Sequence, residues 1–147
     1  MKIYIGTDHK GVNTLNEIVK YLKEKNIEVE ESTIEHSDTD DYVDFAKDVC
    51  NNVLKNKDFF GILICGTGIG MSIAANKIKG IRAARCVTKE DARLTRTDNN
   101  ANILCLSHNI DIEILKEIID TFINTSFSNE ERHIRRVNKI KDMEYEN

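Results

Sequence analysis

Short apolar runs alternate along the chain with longer stretches in which apolar residues recur every three or four positions. Five runs predict buried or half-buried strands: Ile3 to Ile5, Ile27 to Thr33, Gly61 to Cys65, Ile81 to Val87 and Ile103 to Leu106. The recurring stretches are typical of helices that bury one face. They cover residues 12–22, 45–53, 71–76, 90–95, 112–123 and a basic stretch at about 129–141.

Five alternations of strand and helix predict an α/β fold. Successive strands separated by helices run parallel and are joined by right-handed crossovers, so helices cover both faces of the sheet. The run from Gly61 to Cys65 is apolar on both faces, as a central strand would be, whereas Ile27 to Thr33 alternates and is expected nearer an edge. In such sheets ligands bind beyond the carboxyl ends of the strands, which is where chemistry is sought.

The length and composition fit one globular domain spanning residues 1–147. The chain has 40% hydrophobic residues, no proline, no internal repeat and no Gly/Ser-rich linker. No apolar run approaches the roughly 20 residues of a membrane helix, and the first residues lack a signal-peptide pattern. We therefore expect no membrane association and a cytoplasmic location.

The charge and the cysteine spacing argue against nucleic acid, metal and cofactor as ligands. Charged residues make up 31% of the chain, yet the net charge is only −4, so no strong field for nucleic acid exists. Few aromatic residues are present and none is interleaved with the basic C-terminal stretch, so base-stacking platforms are missing. The four cysteines show no CxxC spacing, which argues against zinc, a redox pair or a disulfide framework. We expect no metal and no cofactor.

Glycine marks the end of the third strand. Gly66, Gly68 and Gly70 follow Cys65 at alternate positions and lead into a helix. Alternate glycines let a ligand approach the backbone, and the N–H groups of a helix N-terminus attract an anion. The spacing fits neither the dinucleotide fingerprint nor a Walker loop. An oxyanion or phosphate cradle and a plain strand-to-helix turn both remain open.

Cys65 stands at the start of this loop. A helix N-terminus favours the thiolate, which could act as nucleophile or general base. The alternative, a small buried hydrophobe, suits Cys50, Cys86 and Cys105 better, because each falls within a helix or strand pattern.

Two further groups carry charge. Asp8 and His9 follow the first strand, at the same sheet edge as Cys65, where they could bind a ligand or only cap the next helix. Arg132 and Arg136 are four residues apart in the last helix, a spacing that suits two guanidinium groups gripping one phosphate. A solvated basic face is the alternative for these two.

The motifs together resemble those of the ribose-5-phosphate isomerase B family, which also contains the galactose-6-phosphate isomerase subunits. The residues that carry the resemblance are Gly6 to His9, Asp41 to Ala46, Gly61 to Lys77, Gly80 to Ala84, Asn99 to Asn102, Arg132, His133, Arg136 and Val137. They span nearly the whole chain in order. The resemblance implies a Rossmann-like three-layer sandwich with a five-stranded parallel sheet, and a metal-independent aldose–ketose isomerase. It also implies a homodimer, or a dimer of dimers, whose active sites lie between subunits.

The resemblance also implies roles for individual residues. Cys65 matches the general base that moves a proton between C2 and C1 through a cis-enediolate, and Thr67 assists the loop that holds the oxyanion. Implied substrate contacts are Asp8, His9, Tyr42, Gly66, Gly68, Ile69, Gly70, Asn99, Asn109, Arg132 and Arg136. The two arginines are expected to bind the phosphate and to complete the site of a partner subunit.

Three positions depart from the family pattern. Asp98 stands where a histidine that opens the furanose ring is usual, and an aspartate with an ordinary pKa near ~3.9 can accept a proton but hardly donate one. Ring opening is therefore expected to fall to His133. Asn109 stands where the family usually has an arginine, so one phosphate contact is lost. Val43 replaces a usual proline at a helix entry.

The sequence leaves three hypotheses for the function of the protein. The leading hypothesis is isomerisation of ribose 5-phosphate and ribulose 5-phosphate. A second keeps the chemistry and changes the sugar to galactose or allose 6-phosphate, a branch that Asp98 and Asn109 resemble. The third is a non-catalytic sugar-phosphate binding protein that has lost ring opening through Asp98.

Overall fold

The computed structural model describes residues 1–146 and contains five strands and six helices. The strands are β1 Lys2–Thr7, β2 Glu28–Glu31, β3 Phe59–Cys65, β4 Ala83–Arg85 and β5 Ile103–Ser107. The helices are α1 Val12–Glu24, α2 Tyr42–Val53, α3 Ile69–Ala75, α4 Lys89–Asn99, α5 Ile112–Asn124 and α6 Glu131–Met143, with a 3-10 turn at His9–Gly11.

All five strands are parallel and form one sheet in the order β2-β1-β3-β5-β4. The α/β fold class is therefore confirmed, with β3 in the centre and β2 at an edge, as the apolar pattern predicted. Strand β4 is shorter than the predicted run of residues 81–87. Strand β4 begins only at Ala83, because the backbone N–H of Arg82 donates to the side-chain oxygen of Asn102 (2.8 Å) and not to a neighbouring strand.

Helices cover both faces of the sheet and give two apolar cores. In β3, Ile62 and Ile64 face α1, α4 and α5, whereas Leu63 and Cys65 face α2 and α3, as the two-residue period of a strand requires. The layers are thus helix, sheet and helix, the predicted three-layer sandwich. Residues 1–146 hold no helix that is both long and apolar enough to cross a membrane.

Helix α6 buries a smaller fraction of its residues in its own chain than the other five helices do. Only His133 and Val137 are buried among its residues. Ile134, Ile140 and Met143 are exposed. An amphipathic helix whose apolar residues remain exposed has surface available for a partner.

Candidate active site

The carboxyl ends of β1, β3 and β5 meet at one edge of the sheet. Thr7 pairs with Ile64 across β1 and β3, and Cys65 pairs with Ser107 across β3 and β5. Asp8, the residue after Thr7, therefore lies beside Cys65 in the register. The predicted convergence of Asp8 and His9 with Cys65 on this edge is confirmed.

The Cys65 thiol differs from the other three in its partner. Its sulfur accepts the backbone N–H of Gly68 at 3.2 Å, a contact that stabilises negative charge on sulfur. Burial raises the pKa of Cys50 to about 12, and burial together with the charge of Asp91 raises the pKa of Cys86 to about 12. Burial also raises the pKa of Cys105 well above its ordinary value, so these three thiols stay neutral.

The loop after Cys65 has a fixed backbone and an open side. Gly68 has a φ of +79°, and a Cβ there would lie 3.1 Å from the backbone of Leu106 in β5. A Cβ at Gly66, in contrast, would meet no atom within 4 Å. The hydroxyl of Thr67 accepts the N–H of Ile69 (3.1 Å), which orders the turn. The loop is thus packed at Gly68 and leaves room for a ligand at Gly66.

We expect Gly68→Ala to lower the free energy of unfolding by roughly 1–2 kcal/mol, because a side chain at positive φ clashes with its own backbone and because the added Cβ crowds Leu106. Gly66→Ala is the matched control, since Gly66 has no positive φ and open space around it. Urea denaturation of both variants measures the difference. Equal loss of stability in the two would show that the left-handed conformation at Gly68 is not required.

Side chains behind the loop hold it in place. The carbonyl oxygen of Gly66 accepts the Ser107 hydroxyl (2.7 Å) and the Asn109 side-chain amide (3.1 Å). Asn109, predicted as a substrate contact, therefore bonds to the loop in this structure. The Tyr42 ring packs on the start of α3, where a Cβ at Gly70 would lie 2.8 Å from it.

A buried carboxylate fixes the His9 ring. Asp40, with 6% of its side chain exposed, receives the backbone N–H of His9 (3.0 Å) and lies 2.7 Å from its Nδ1. The other Asp40 oxygen lies near His36 Nδ1 and the N–H of Ser37 (both 3.2 Å). Burial alone would favour the neutral acid, yet the hydrogen bonds from His9, His36 and Ser37 lower the pKa of Asp40 to about 2. A carboxylate only accepts, so Nδ1 of His9 carries the hydrogen and Nε2 is left for a ligand.

We expect Asp40→Asn to lower kcat/KM about tenfold, because the amide cannot hold the His9 tautomer as a charged acceptor does. A carboxyl group whose pKa is lowered by folding stabilises the fold at pH values above its unfolded-state pKa. For Asp40 the unfolded-state pKa is 3.8, and the stabilisation is lost as the pH falls through the folded-state pKa of about 2. The stability gap between wild type and Asp40→Asn should therefore be full at pH 7 and shrink between about pH 4 and pH 2. Denaturation across that window measures it.

Asp38→Asn is the matched control for this prediction, since Asp38 lies in the same loop, is exposed and has no hydrogen-bond partner within residues 1–146. A pH-independent gap for Asp40→Asn, or an equal effect at Asp38, would contradict the assigned role of the Asp40 carboxylate.

A second group of predicted residues lies around the end of α4. Nε2 of His133 is 3.6 Å from the Asp98 carboxylate, which also accepts the Thr97 hydroxyl (2.8 Å). Nδ1 of His133 is 2.7 Å from the Ser128 hydroxyl. His133 is buried, whereas 42% of the Asp98 side chain is exposed. Asp98 and His133 therefore form a pair whose aspartate faces solvent.

Strand β4 shows that this second group and Cys65 lie at opposite edges of the sheet. Arg85, at the carboxyl end of β4, donates its Nε to the carbonyl oxygen of Thr67 (2.8 Å). Arg82, just before the strand, donates its Nε to the carbonyl oxygen of Asn99 (3.0 Å). Three residues of extended chain, about 10 Å, separate these two arginines. Within one chain, Asp98 and Asn99 are thus at the amino edge, away from Cys65.

The two arginines predicted to bind phosphate lie on α6, with His133. Arg132 and Arg136 are both exposed, and Arg132 contacts Glu130 at 3.0 Å. The structure therefore brings the predicted site residues together as two groups. The residues at the carboxyl edge, which we call the thiol group, are Asp8, His9, Tyr42, Cys65, Gly66, Thr67, Gly68, Ile69, Gly70 and Asn109. Those on α4 and α6, which we call the arginine group, are Asp98, Asn99, Arg132, His133 and Arg136.

Sequence reasoning missed Asp40, Ser107 and Arg85. Ser107 ends β5 and could have been found by the strand-end argument that identified Cys65. Nothing in the sequence signals that Asp40 pairs with a histidine 31 positions away. Within residues 1–146, no three His, Cys, Asp or Glu side chains converge as a metal site would require.

Known proteins share this fold and a large part of the sequence. The model of the family described as "Ribose/Galactose Isomerase" matches residues 3–140. A Mycoplasma genitalium protein named "Probable ribose-5-phosphate isomerase B" is 44% identical over 142 residues, covering 94% of this chain and 92% of that protein. Escherichia coli ribose-5-phosphate isomerase B is 39% identical over 144 residues, covering 97% and 96%. The solved structure of the Mycoplasma genitalium enzyme with bound ribulose 5-phosphate has a TM-score of 0.93 at 41% identity, covering 99% and 97%.

The chain is a parallel α/β sandwich with a thiol and a glycine loop at the carboxyl edge of its sheet, and sugar-phosphate isomerases match it over nearly its full length. It is therefore a sugar-phosphate isomerase. The chain belongs to the ribose/galactose isomerase family. The family resemblance drawn from the sequence motifs is confirmed, and so is the prediction of a sugar-phosphate isomerase.

Proposed function

We propose that the protein interconverts ribose 5-phosphate and ribulose 5-phosphate. The observation that carries the proposal is the Cys65 thiol, which ends the central strand, accepts the Gly68 N–H and adjoins the open space at Gly66. The solved relative with bound ribulose 5-phosphate supports this choice of sugar.

The chemistry proposed is a proton transfer through a cis-enediolate. Cys65 takes the proton from C2 of the open-chain aldose and returns it to C1 of the ketose, while a proton moves between the two oxygens. Negative charge develops on the carbonyl oxygen, and backbone N–H groups of the glycine loop stabilise it, assisted by Thr67. Asp8, His9 and Tyr42 contact the sugar.

We propose that each site takes its thiol group from one chain and its arginine group from a second copy. The two groups lie at opposite edges of the sheet, so a substrate held at Cys65 is out of reach of Asp98 and Asn99 in the same chain. Helix α6 carries Arg132 and Arg136 and leaves Ile134 and Ile140 exposed for a partner. A homodimer, or a dimer of such dimers, satisfies both observations.

Ring opening is assigned to Asp98 and His133 together. The exposed Asp98 carboxylate accepts the proton of the anomeric hydroxyl, and the imidazolium form of His133, whose Nε2 is 3.6 Å from that carboxylate, donates a proton to the ring oxygen as its bond to C1 breaks. The Ser128 hydroxyl at Nδ1 orients the ring. An aspartate at position 98 is thereby compatible with a cyclic substrate.

We expect His133→Asn to lower kcat for ribose 5-phosphate by about 10²-fold, the lower range for one acid–base group. Erythrose 4-phosphate cannot form a furanose ring, so its isomerisation should change much less in the same variant. Steady-state rates on both sugars test this. An equal loss on the two substrates would contradict a role in ring opening.

A hexose 6-phosphate, galactose or allose, is the second candidate substrate. Asn109 favours it, because its side chain is short and bonds to the Gly66 carbonyl instead of presenting a cation to a pentose phosphate.

The test of the function incubates the purified protein with ribose, allose or galactose phosphate in deuterated water and follows the ketose by NMR. Ribulose 5-phosphate carrying deuterium is the expected product. Turnover of a hexose phosphate alone would move the protein to the second candidate. Binding of all three sugars without turnover would leave a sugar-phosphate binding protein.

A further inference from the structure

A cavity of about 850 Å³ opens at the amino edge of the sheet, on the side opposite Cys65. It lies between the segment that leads into β3, the start of β4 and the end of α6. None of its lining residues belongs to the thiol group or the arginine group. Its volume falls within the ~300–1,000 Å³ of small-molecule sites. The cavity is therefore a separate candidate site.

Arg96 lines this cavity as a buried cation without an anionic partner. The residue is 7% exposed. Its Nε donates to the Thr125 carbonyl (3.0 Å), and its Nη1 donates to the Ala101 carbonyl (2.6 Å) and the Asn100 side chain (2.9 Å). All these acceptors are neutral, and Nη2 has no acceptor within residues 1–146. Its guanidinium lies over the rings of Phe60 (4.8 Å) and Phe122 (5.7 Å), which offset part of the cost of burying the charge but supply no anion.

A second guanidinium group, that of Arg82, lines the same cavity. Its Nε and Nη2 donate to the Asn100 carbonyl (3.1 and 2.8 Å), and its Nη1 has no acceptor in the described part of the chain. Burial lowers the pKa of Arg82, and burial together with the Arg82 charge lowers the pKa of Arg96. Capping of helix C-termini accounts for the carbonyl contacts: both arginines bond to the end of α4, and Arg96 also bonds to Thr125 at the end of α5. It leaves their free N–H groups and their mutual repulsion unexplained.

The rim of the cavity is basic as well. Lys57, Lys79 and Lys141 line it, all exposed, against the carboxylates of Asp58 and Glu144. Both Glu144 oxygens accept the N–H of Gly80 (2.9 and 3.0 Å), and the charge of this carboxylate acts against burial on the pKa of Arg82, which is nevertheless lowered. Five basic and two acidic side chains thus surround a cavity in a chain whose net charge is −4.

We propose that this cavity binds the phosphate group of a small molecule between Arg82 and Arg96, independently of the isomerase site. A doubly charged phosphate offers acceptors to the free Nη atoms of both forks and offsets the repulsion between them. Phe59 and Tyr145 line the cavity beside these charges and provide apolar surface for the remainder of the molecule.

The experiment titrates the ¹⁵N-labelled full chain with inorganic phosphate, pyrophosphate and AMP at constant ionic strength. We expect saturable shifts of the backbone N–H signals of Gly80 and Asn102. Arg82→Gln should weaken the affinity reported by these signals at least about tenfold, as expected for loss of a charged hydrogen bond. Arg136→Ala, which alters the proposed substrate site, should leave it unchanged. Tighter binding of AMP than of inorganic phosphate would identify an organic phosphate as the ligand.

A second variant keeps the proposal testable if Arg82→Gln does not fold. Lys57→Gln combined with Lys141→Gln changes only exposed side chains and should weaken pyrophosphate binding several-fold. Absence of saturable shifts of the Gly80 and Asn102 signals up to about 10 mM pyrophosphate would overturn the proposal. An affinity weaker than that corresponds to a binding free energy too small for a preformed site. Shifts insensitive to the cavity variants, or abolished by Arg136→Ala, would overturn it equally. Isomerase activity is measured separately, so failure of either proposal leaves the other standing.

Discussion

Cys65→Ala is expected to lower kcat for ribose 5-phosphate by about 10²–10⁴-fold, the contribution of one positioned general base. The physical reason is specific to this thiol, whose sulfur accepts the Gly68 N–H at the open edge of the sheet. Because the base acts in the transition state and not in binding, KM should change little. Initial rates of ketose formation, with deuterium incorporation from solvent, measure both parameters.

Cys86→Ala provides the matched control for Cys65→Ala. It removes a buried thiol whose pKa burial and Asp91 raise to about 12, at a position that no proposed step uses. We expect lower stability and a kcat near that of wild type. A Cys65→Ala enzyme that still exchanged deuterium at the wild-type rate would show that another group is the base.

The same variant separates catalysis from binding. Ribose 5-phosphate should still raise the Tm of Cys65→Ala, because ligand that binds only the folded state stabilises it. The thermal shift at a given ribose 5-phosphate concentration should be smaller in Arg136→Ala if that arginine holds the phosphate. Wild-type protein with a full thermal shift and no turnover would favour the sugar-phosphate binding protein over the enzyme.

Much of the thiol group could be predicted because its signals are local. Cys65 and Asp8 each follow an apolar run, and parallel strands place their carboxyl ends at one edge whichever strands are neighbours. The strand order β2-β1-β3-β5-β4 could not be predicted in this way. The spacing of apolar residues predicts a crossover helix but does not determine which strand the next strand pairs with. The hydrogen bond between His9 and Asp40 could not be predicted either, because it joins two loops that are 31 residues apart in the chain.

The position of the arginine group needed the structure. The sequence analysis assigned only Arg132 and Arg136 to the site of a partner subunit. The fold adds Asp98 and Asn99 to that group, because α4 runs back across the sheet and its 11 residues carry the chain about 16 Å. Asp98 and Asn99 consequently lie at the amino edge, beside Arg82. The motifs therefore give the members of the proposed site, whereas only the fold gives the edge of the sheet at which each member lies.

Mixing two inactive chains is expected to restore activity if the site is shared. Arg136→Ala alone should lower kcat/KM by roughly 10- to 150-fold, the loss of one charged contact. In a two-fold dimer of one Cys65→Ala chain and one Arg136→Ala chain, one site has both residues intact and the other has neither. Coexpression in equal amounts yields hybrids as half of the dimers, so the mixture should recover about a quarter of wild-type activity. Two affinity tags isolate the hybrid for assay.

The control coexpresses Cys65→Ala with a chain that carries both substitutions. No arrangement of these chains assembles an intact site, so recovery there would indicate contamination. Recovery in the first mixture alone requires that Cys65 and Arg136 of one site come from different chains. An isolated hybrid dimer without activity would mean that Cys65 and Arg136 of one site come from the same chain. Helix α6 would then have to leave its position beside α4 for Arg136 to reach Cys65. The contacts of His133 with Asp98 and Ser128 oppose that movement, which is why we expect recovery.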